Sequence, residues 1–177
     1  TGLRNNHRRV DGAQRNPPDA ALWNLLRLAC GMLLCAVHAI APAADTPGEI
    51  EVPAWFKNSF LDLRDDLREA AAANKRLLVY FGQNGCPYCK RLMDVNFSQK
   101  DIVDKTRKNF DAIEINIYGS REVTWLDGST RSEKDFAALL KVQFTPTLLF
   151  LDEKGNIALR VNGYYPPHRF MAALDYV

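Results

Sequence analysis

Apolar positions along the chain change their spacing several times, and each change marks an element. Phe60, Leu63, Leu67 and Ala70 or Ala71 recur at helical spacing, with Asp62, Arg64, Asp65, Arg68 and Glu69 between them. That pattern predicts an amphipathic helix over about 59–73. Leu77 to Phe81 is an unbroken apolar run closed by Gly82, as expected of a strand buried on both faces. Pro87 suits the first turn of a helix, where its missing N–H would have had no partner, so a helix is predicted to start at or beside Cys86. Ser98 and Asp101 read as a capping pair for a helix over about 99–109, whose Lys105, Arg107 and Lys108 sit where the dipole favours cations. Ile113, Ile115 and Ile117 then alternate with Ala112, Glu114 and Asn116 as a strand would.

The second half begins with a short hairpin inserted around 122–130, in which Asp127-Gly128 is expected to supply positive backbone angles. Ser132 and Asp135 cap a helix running to about Val142. Thr147 to Leu151 is an apolar strand, 152–156 a glycine-containing turn and Ile157 to Val161 the strand paired with it. Pro166-Pro167 opens a last helix carrying Phe170, Met171 and Leu174. Helices and strands alternate first and an antiparallel pair follows, so the expected class is α/β, a mixed central sheet flanked by helices on both faces.

Composition narrows this in two ways. The chain has 177 residues, 47% apolar and 25% charged, enough for one domain with a substantial core. A net charge of +2 is too nearly balanced for a nucleic-acid footprint. The charge is uneven, because the first 43 residues hold five arginines (Arg4, Arg8, Arg9, Arg15, Arg27) against Asp11 and Asp19. An apolar run from Leu28 to Val37 follows, and then small residues with an A-x-A site at Ala41 and Ala43. That order predicts a secretory signal over 1–43, cut before Ala44. The run is shorter than the roughly 20 residues of a membrane span, which leaves an uncleaved anchor as the second reading. The start at Thr1 rather than Met suggests a true start that is either missing or misplaced, and the stop at Val177 within the last helical pattern suggests a clipped C-terminus. Residues 44–58 form an aperiodic lead-in and 59–177 the domain. Loss of the leader removes His7, His38, Cys30 and Cys35, so the exported chain keeps Cys86, Cys89 and His168.

Two cysteines three apart at a helix start lie one turn from each other, at the separation of about 5.5 Å between Cα atoms that a reversible disulfide needs. Cys86, at the N-terminal end, meets unpaired backbone N–H groups, which favour a thiolate; Cys89, one turn in, is the natural resolving thiol. Structural zinc would need four ligands, and two cysteines with one distant histidine do not provide them. A c-type haem would need His where Lys90 stands. A static disulfide is the remaining competitor, but a bridge closing so small a loop stabilises little.

Gly85-Cys86-Pro87-Tyr88-Cys89-Lys90 after an apolar strand, Phe144-Thr145-Pro146-Thr147 further on, and then Gly163 together resemble the thioredoxin superfamily. Asn116-Ile117, the 122–128 insertion and Tyr164-Tyr165-Pro166-Pro167 narrow the likeness to the SoxW-type periplasmic thioredoxins. The resemblance implies a cis Pro146 facing the cysteine pair, a Thr145 backbone that pairs with an extended substrate segment, and Gly163 beside them. It implies a thioredoxin fold and a monomeric periplasmic oxidoreductase that reduces partner-protein disulfides, with electrons from a membrane thiol carrier. The Cys86-Cys89 pair would then be the redox group, with no other cofactor and no metal. A disulfide-introducing oxidase and a non-catalytic adaptor are the alternatives. Pro87-Tyr88 is the glutaredoxin dipeptide, which suggests a potential nearer −200 to −230 mV than the roughly −270 mV of thioredoxin.

Tyr80 departs from the pattern, standing where cytoplasmic thioredoxins carry a buried aspartate. Glu114, on the neighbouring strand opposite the isoleucines, is a candidate substitute as proton acceptor, although the plainer reading, a solvated strand residue, is the favoured one. Trp125 is read as anchoring its hairpin to the core, and His168 as a surface residue. Lys90 and Arg91 lie beside Cys89 either to steady a thiolate or as a solvated helix face.

Overall fold

In the computed structural model, which describes residue 48 and residues 50–177, the Leu77 to Phe81 run lies in an inner strand of a four-stranded sheet. This strand, β1 (Arg76–Gly82), pairs in parallel with β2 (Phe110–Asn116), Arg76 lying opposite Phe110 and Gly82 opposite Asn116. On its other edge it runs antiparallel to β5 (Thr147–Leu151), which pairs antiparallel with β6 (Ile157–Asn162). The spatial order is β2-β1-β5-β6, and β3 (Glu122–Thr124) with β4 (Thr130–Ser132) forms a separate two-stranded ribbon. The fold is the expected thioredoxin-type α/β architecture. The leader, its cut before Ala44, Cys30, Cys35, His7 and His38 lie outside the described residues.

Alternate side chains of β1 enter two different cores, which is why that stretch is continuously apolar. Leu78 and Tyr80 join Phe97, Ile102, Phe150 and Phe170, together with both cysteines. Leu77, Val79 and Phe81 join Leu63, Ile113, Ile115 and Phe136. The first core packs beneath α2 (Pro87–Arg91), α3 (Lys100–Asn109) and α5 (Pro167–Tyr176), the second beneath α1 (Leu63–Ala72) and α4 (Glu133–Leu139). Between α2 and α3, Leu92–Asn96 widens into a π-helical turn that the sequence pattern did not signal.

Three expectations are corrected. The first helix begins at Leu63 rather than 59, because Ser59 accepts a hydrogen bond from the Leu61 amide (2.7 Å) and Asp62 caps the Arg64 amide (3.1 Å). Leu61, at φ +62°, therefore turns into the core while Phe60 projects fully into solvent. The third helix has no side-chain cap: Ser98 donates to the Val95 carbonyl instead (3.2 Å). In the hairpin only Gly128 has a positive φ, and the Asp127 carboxylate closes the turn by accepting from the Ser129 amide (2.8 Å). Trp125 packs on Phe136, with ring centroids 5.2 Å apart, so it anchors the hairpin; His168 is exposed.

The lead-in has no regular element, yet its end belongs to the first core. Phe56 is buried and meets Tyr80 and Phe97 edge-on, at 6.1 and 5.8 Å between ring centroids. The Lys57 amide donates to the Ala112 carbonyl (2.7 Å), covering part of the outer edge of β2.

Candidate active site

Gly82 ends β1, and the next four residues bring the chain to Cys86, the N-cap of α2. Its backbone is extended (φ −82°, ψ 111°), so the sulfur turns back and accepts a hydrogen bond from the Cys89 amide at 3.1 Å. Gly85, at φ +73°, makes the sharp entry, and its amide donates to the Gly48 carbonyl (2.7 Å). Facing the sulfur is the Thr145-Pro146 segment, joined by a cis peptide bond. The Thr145 hydroxyl lies 3.3 Å from Cys86 Sγ and the Thr145 carbonyl 3.5 Å from it. A thiolate at Cys86 would thus accept from one N–H and one O–H, whereas a thiol would donate to the Thr145 carbonyl.

The fold therefore gathers Cys86, Cys89, Pro87, Thr145 and Pro146. Gly163 joins them through its amide, which donates to the Pro146 carbonyl at 2.8 Å. Tyr88 projects into solvent beside the pair. Lys90 is not at the sulfur: its ammonium pairs with Asp94 one turn on, at 3.0 Å, on an exposed face. Arg91 instead stacks over the Tyr164 ring, 5.1 Å from its centroid. Among the described residues no three His, Cys, Asp or Glu side chains are grouped to hold a metal ion.

The model of the thioredoxin-like domain family matches residues 63–177. The chain belongs to this family. A thioredoxin-fold protein from Helicobacter pylori is 30% identical, with a TM-score of 0.53 over 58% of this chain and 68% of that one. A thioredoxin from Thermus thermophilus is 21% identical over 64% of this chain and 82% of that one, with a TM-score of 0.49. The oxidised C-terminal domain of Neisseria meningitidis DsbD is 12% identical over 64% and 87%, with a TM-score of 0.46. No curated protein sequence matches the chain.

In this thioredoxin-like domain the two thiols have unequal surroundings. Cys86 is 5% exposed and Cys89 fully buried. Burial pushes the Cys89 thiol up to about 11, and the adjacent Cys86 sulfur adds to the rise, while the Tyr80 hydroxyl and the Gln83 backbone pull it back down. A thiol that folding holds neutral contributes stability that is complete below its ordinary pKa of 9.0 and is lost as pH rises through about 11. The reduced chain is expected to lose unfolding free energy across that window, and Cys89→Ser should remove this limb. Urea unfolding at stepped pH checks it; equal slopes for the two proteins would contradict the burial argument.

Tyr80, which the sequence singles out only as standing in an aspartate's place, is buried with its hydroxyl near enough to lower the Cys89 thiol. The available signal was Gly82, two residues on and therefore on the same face of the strand. Glu114 does lie opposite the isoleucines, at the register position facing Tyr80. It lines a cavity of about 210 Å³ together with Lys57 and Arg121.

Proposed function

We propose that this thioredoxin-like chain is a periplasmic thiol-disulfide oxidoreductase of the SoxW type, reducing partner-protein disulfides through Cys86 and Cys89. The supporting observation is the sulfur of Cys86, held at a helix start by the Cys89 amide and facing the Thr145-Pro146 segment. The Cys86 thiolate attacks a partner disulfide, one partner sulfur leaves as a thiolate that takes up a proton, and a mixed disulfide remains. Cys89 then attacks Cys86, the second partner sulfur departs, and the pair closes as a disulfide, two electrons having passed to the partner. No cofactor beyond the pair takes part. An extended partner segment pairs with the Thr145 backbone as an added strand, between the exposed side chains of Tyr88 and Phe144. The chain acts as a monomer and is re-reduced by a membrane thiol carrier. Location rests on the leader pattern in residues 1–43.

The test is the redox equilibrium of the chain from Ala44 onward, which keeps only Cys86 and Cys89, against glutathione, read by trapping free thiols. A potential between about −270 and −220 mV is expected; one near −120 mV would assign the disulfide-introducing direction instead. An adaptor role would follow if Cys86→Ser kept the chain's function in cells.

A further inference from the structure

Three segments around the Cys86 sulfur are tied to one another by hydrogen bonds. The Thr145 hydroxyl meets the sulfur, the Gly163 amide donates to the Pro146 carbonyl (2.8 Å), and Asn96, buried in the π turn after α2, donates to the Tyr165 carbonyl (3.0 Å). Residues 83–96, 141–146 and 162–169 together hold Lys90, Arg91, Lys141 and Arg169 against one acid, Asp94. The whole chain is nearly balanced, at 23 basic and 21 acidic side chains, so the positive charge is local to the thiol.

Two of these cations lie flat on aromatic rings. The Arg91 guanidinium stacks over Tyr164, 5.1 Å from its centroid, and that of Arg169 over Tyr165 at 4.6 Å. Lys90 is taken by Asp94 (3.0 Å), but no carboxylate pairs with Arg91 or Arg169 among the described residues. A ring under its face fixes the plane of a guanidinium and leaves free the N–H edge that grips a carboxylate at two points. Arg91 stands three residues after Tyr88, on the same exposed face of α2. It lies about 7.5 Å along the helix axis from Cys86. In an extended partner the side chain two positions from the cysteine is about 6.7 Å away, a matching span. The cation does not serve the thiolate, because the Cys86 sulfur takes its bonds from the Cys89 amide and the Thr145 hydroxyl.

We infer that Arg91, steadied by Tyr164, selects partner proteins that carry an aspartate or glutamate beside the disulfide cysteine. The inference rests on the dithiol-exchange reading above and gives its substrate class. Two guanidinium N–H groups donate to the partner carboxylate, while Tyr88 and Phe144 offer apolar contact on either side of the segment. Lys141 and Arg169, both exposed, extend the positive surface and speed the encounter with an acidic segment. Arg91 touches the partner and not the reacting sulfurs, so its part is in binding and specificity.

The test uses reduced full chain and three disulfide-linked peptide dimers, identical except that the two residues on either side of each cysteine are glutamate, glutamine or lysine. Freed peptide is followed by mass spectrometry at low salt. The rate left in Cys86→Ser is subtracted, which removes any contribution of Cys30 and Cys35. Each rate is then divided by that of the same dimer with dithiothreitol, which cancels the peptide's own reactivity. Glutamate should be favoured over glutamine about 5-fold, the worth of one exposed but well-formed ion pair, and lysine disfavoured. Arg91→Gln should bring the glutamate-to-glutamine ratio below about 2, the remainder being the diffuse pull of the other cations. Arg107→Gln, an equal loss of charge at an exposed position of α3, should leave the ratio at about 5. The ratio is taken within one protein, so a partly unfolded variant does not alter it. A wild-type chain without the preference overturns the inference, as does a preference that survives in Arg91→Gln or falls equally in Arg107→Gln. A chain that reduces none of the dimers refutes dithiol exchange itself, which separates the two failures.

Discussion

With Cys89 replaced by Ser, the chain is expected to stop at the mixed disulfide and accumulate covalently bound partner, while Cys86→Ser forms no adduct and reduces nothing above background. The asymmetry follows from position. Cys86 retains access to solvent, meets the Cys89 amide and the Thr145 hydroxyl, and faces the segment where a partner would lie. Cys89 is closed to solvent, and its thiol is pushed up to about 11 by that burial. It therefore cannot meet an incoming disulfide and is confined to attacking a sulfur already delivered to Cys86. Insulin reduction followed by turbidity, with mass spectrometry of the chain quenched under non-reducing conditions, reads both arms. Wild-type turnover in Cys89→Ser would assign a one-thiol mechanism, and retained turnover in Cys86→Ser would remove Cys86 from the chemistry.

Most of what positions this pair can be read along the chain, because it depends on local rules. A run buried on both faces has no alternation, Gly82 closes it, and Pro87 is tolerated only where a helix has no use for its N–H. The spacing from Cys86 to Thr145-Pro146 carried the resemblance, and the fold brings Thr145 within 3.5 Å of the sulfur. What local rules miss is competition between neighbours. Phe60 fits the apolar period of the first helix, but the Ser59 hydroxyl and Asp62 cap the chain into a turn first, and Leu61 takes the inward place. Ser98 looks like a cap, but the π turn before it offers the Val95 carbonyl as a nearer acceptor. Tyr80 is legible as standing in an aspartate's place; that its ring and hydroxyl lie against Gly82 is not, because that depends on how the side chain packs.

Glu133→Ala should destabilise the reduced chain by about 3 kcal/mol, since breaking a buried charge pair strands the partners that remain. Glu133 is 1% exposed, and its carboxylate accepts from the amides of Asn116 (2.9 Å) and Arg121 (3.2 Å) and from the Arg121 guanidinium (2.6 Å). One side chain at the start of α4 thus fastens the loop that leaves β2. Gly119 sits against it: a Cβ there would lie 2.6 Å from Glu133 Cδ and 3.1 Å from the Asn116 carbonyl. Gly119→Ala is expected to displace the carboxylate and cost about 2 kcal/mol, and the double variant to fall short of the sum by more than about 0.5 kcal/mol, because removing Glu133 also removes the clash. Urea unfolding with an unchanged m-value tests all three; a loss under about 1 kcal/mol in Glu133→Ala would show the loop is held by its backbone alone. The Arg121 guanidinium that Glu133 grips also donates to the Glu114 carbonyl at 3.1 Å, so the same carboxylate steadies the end of β2. Glu133→Gln, which keeps one acceptor oxygen but drops the charge, should recover much of the stability.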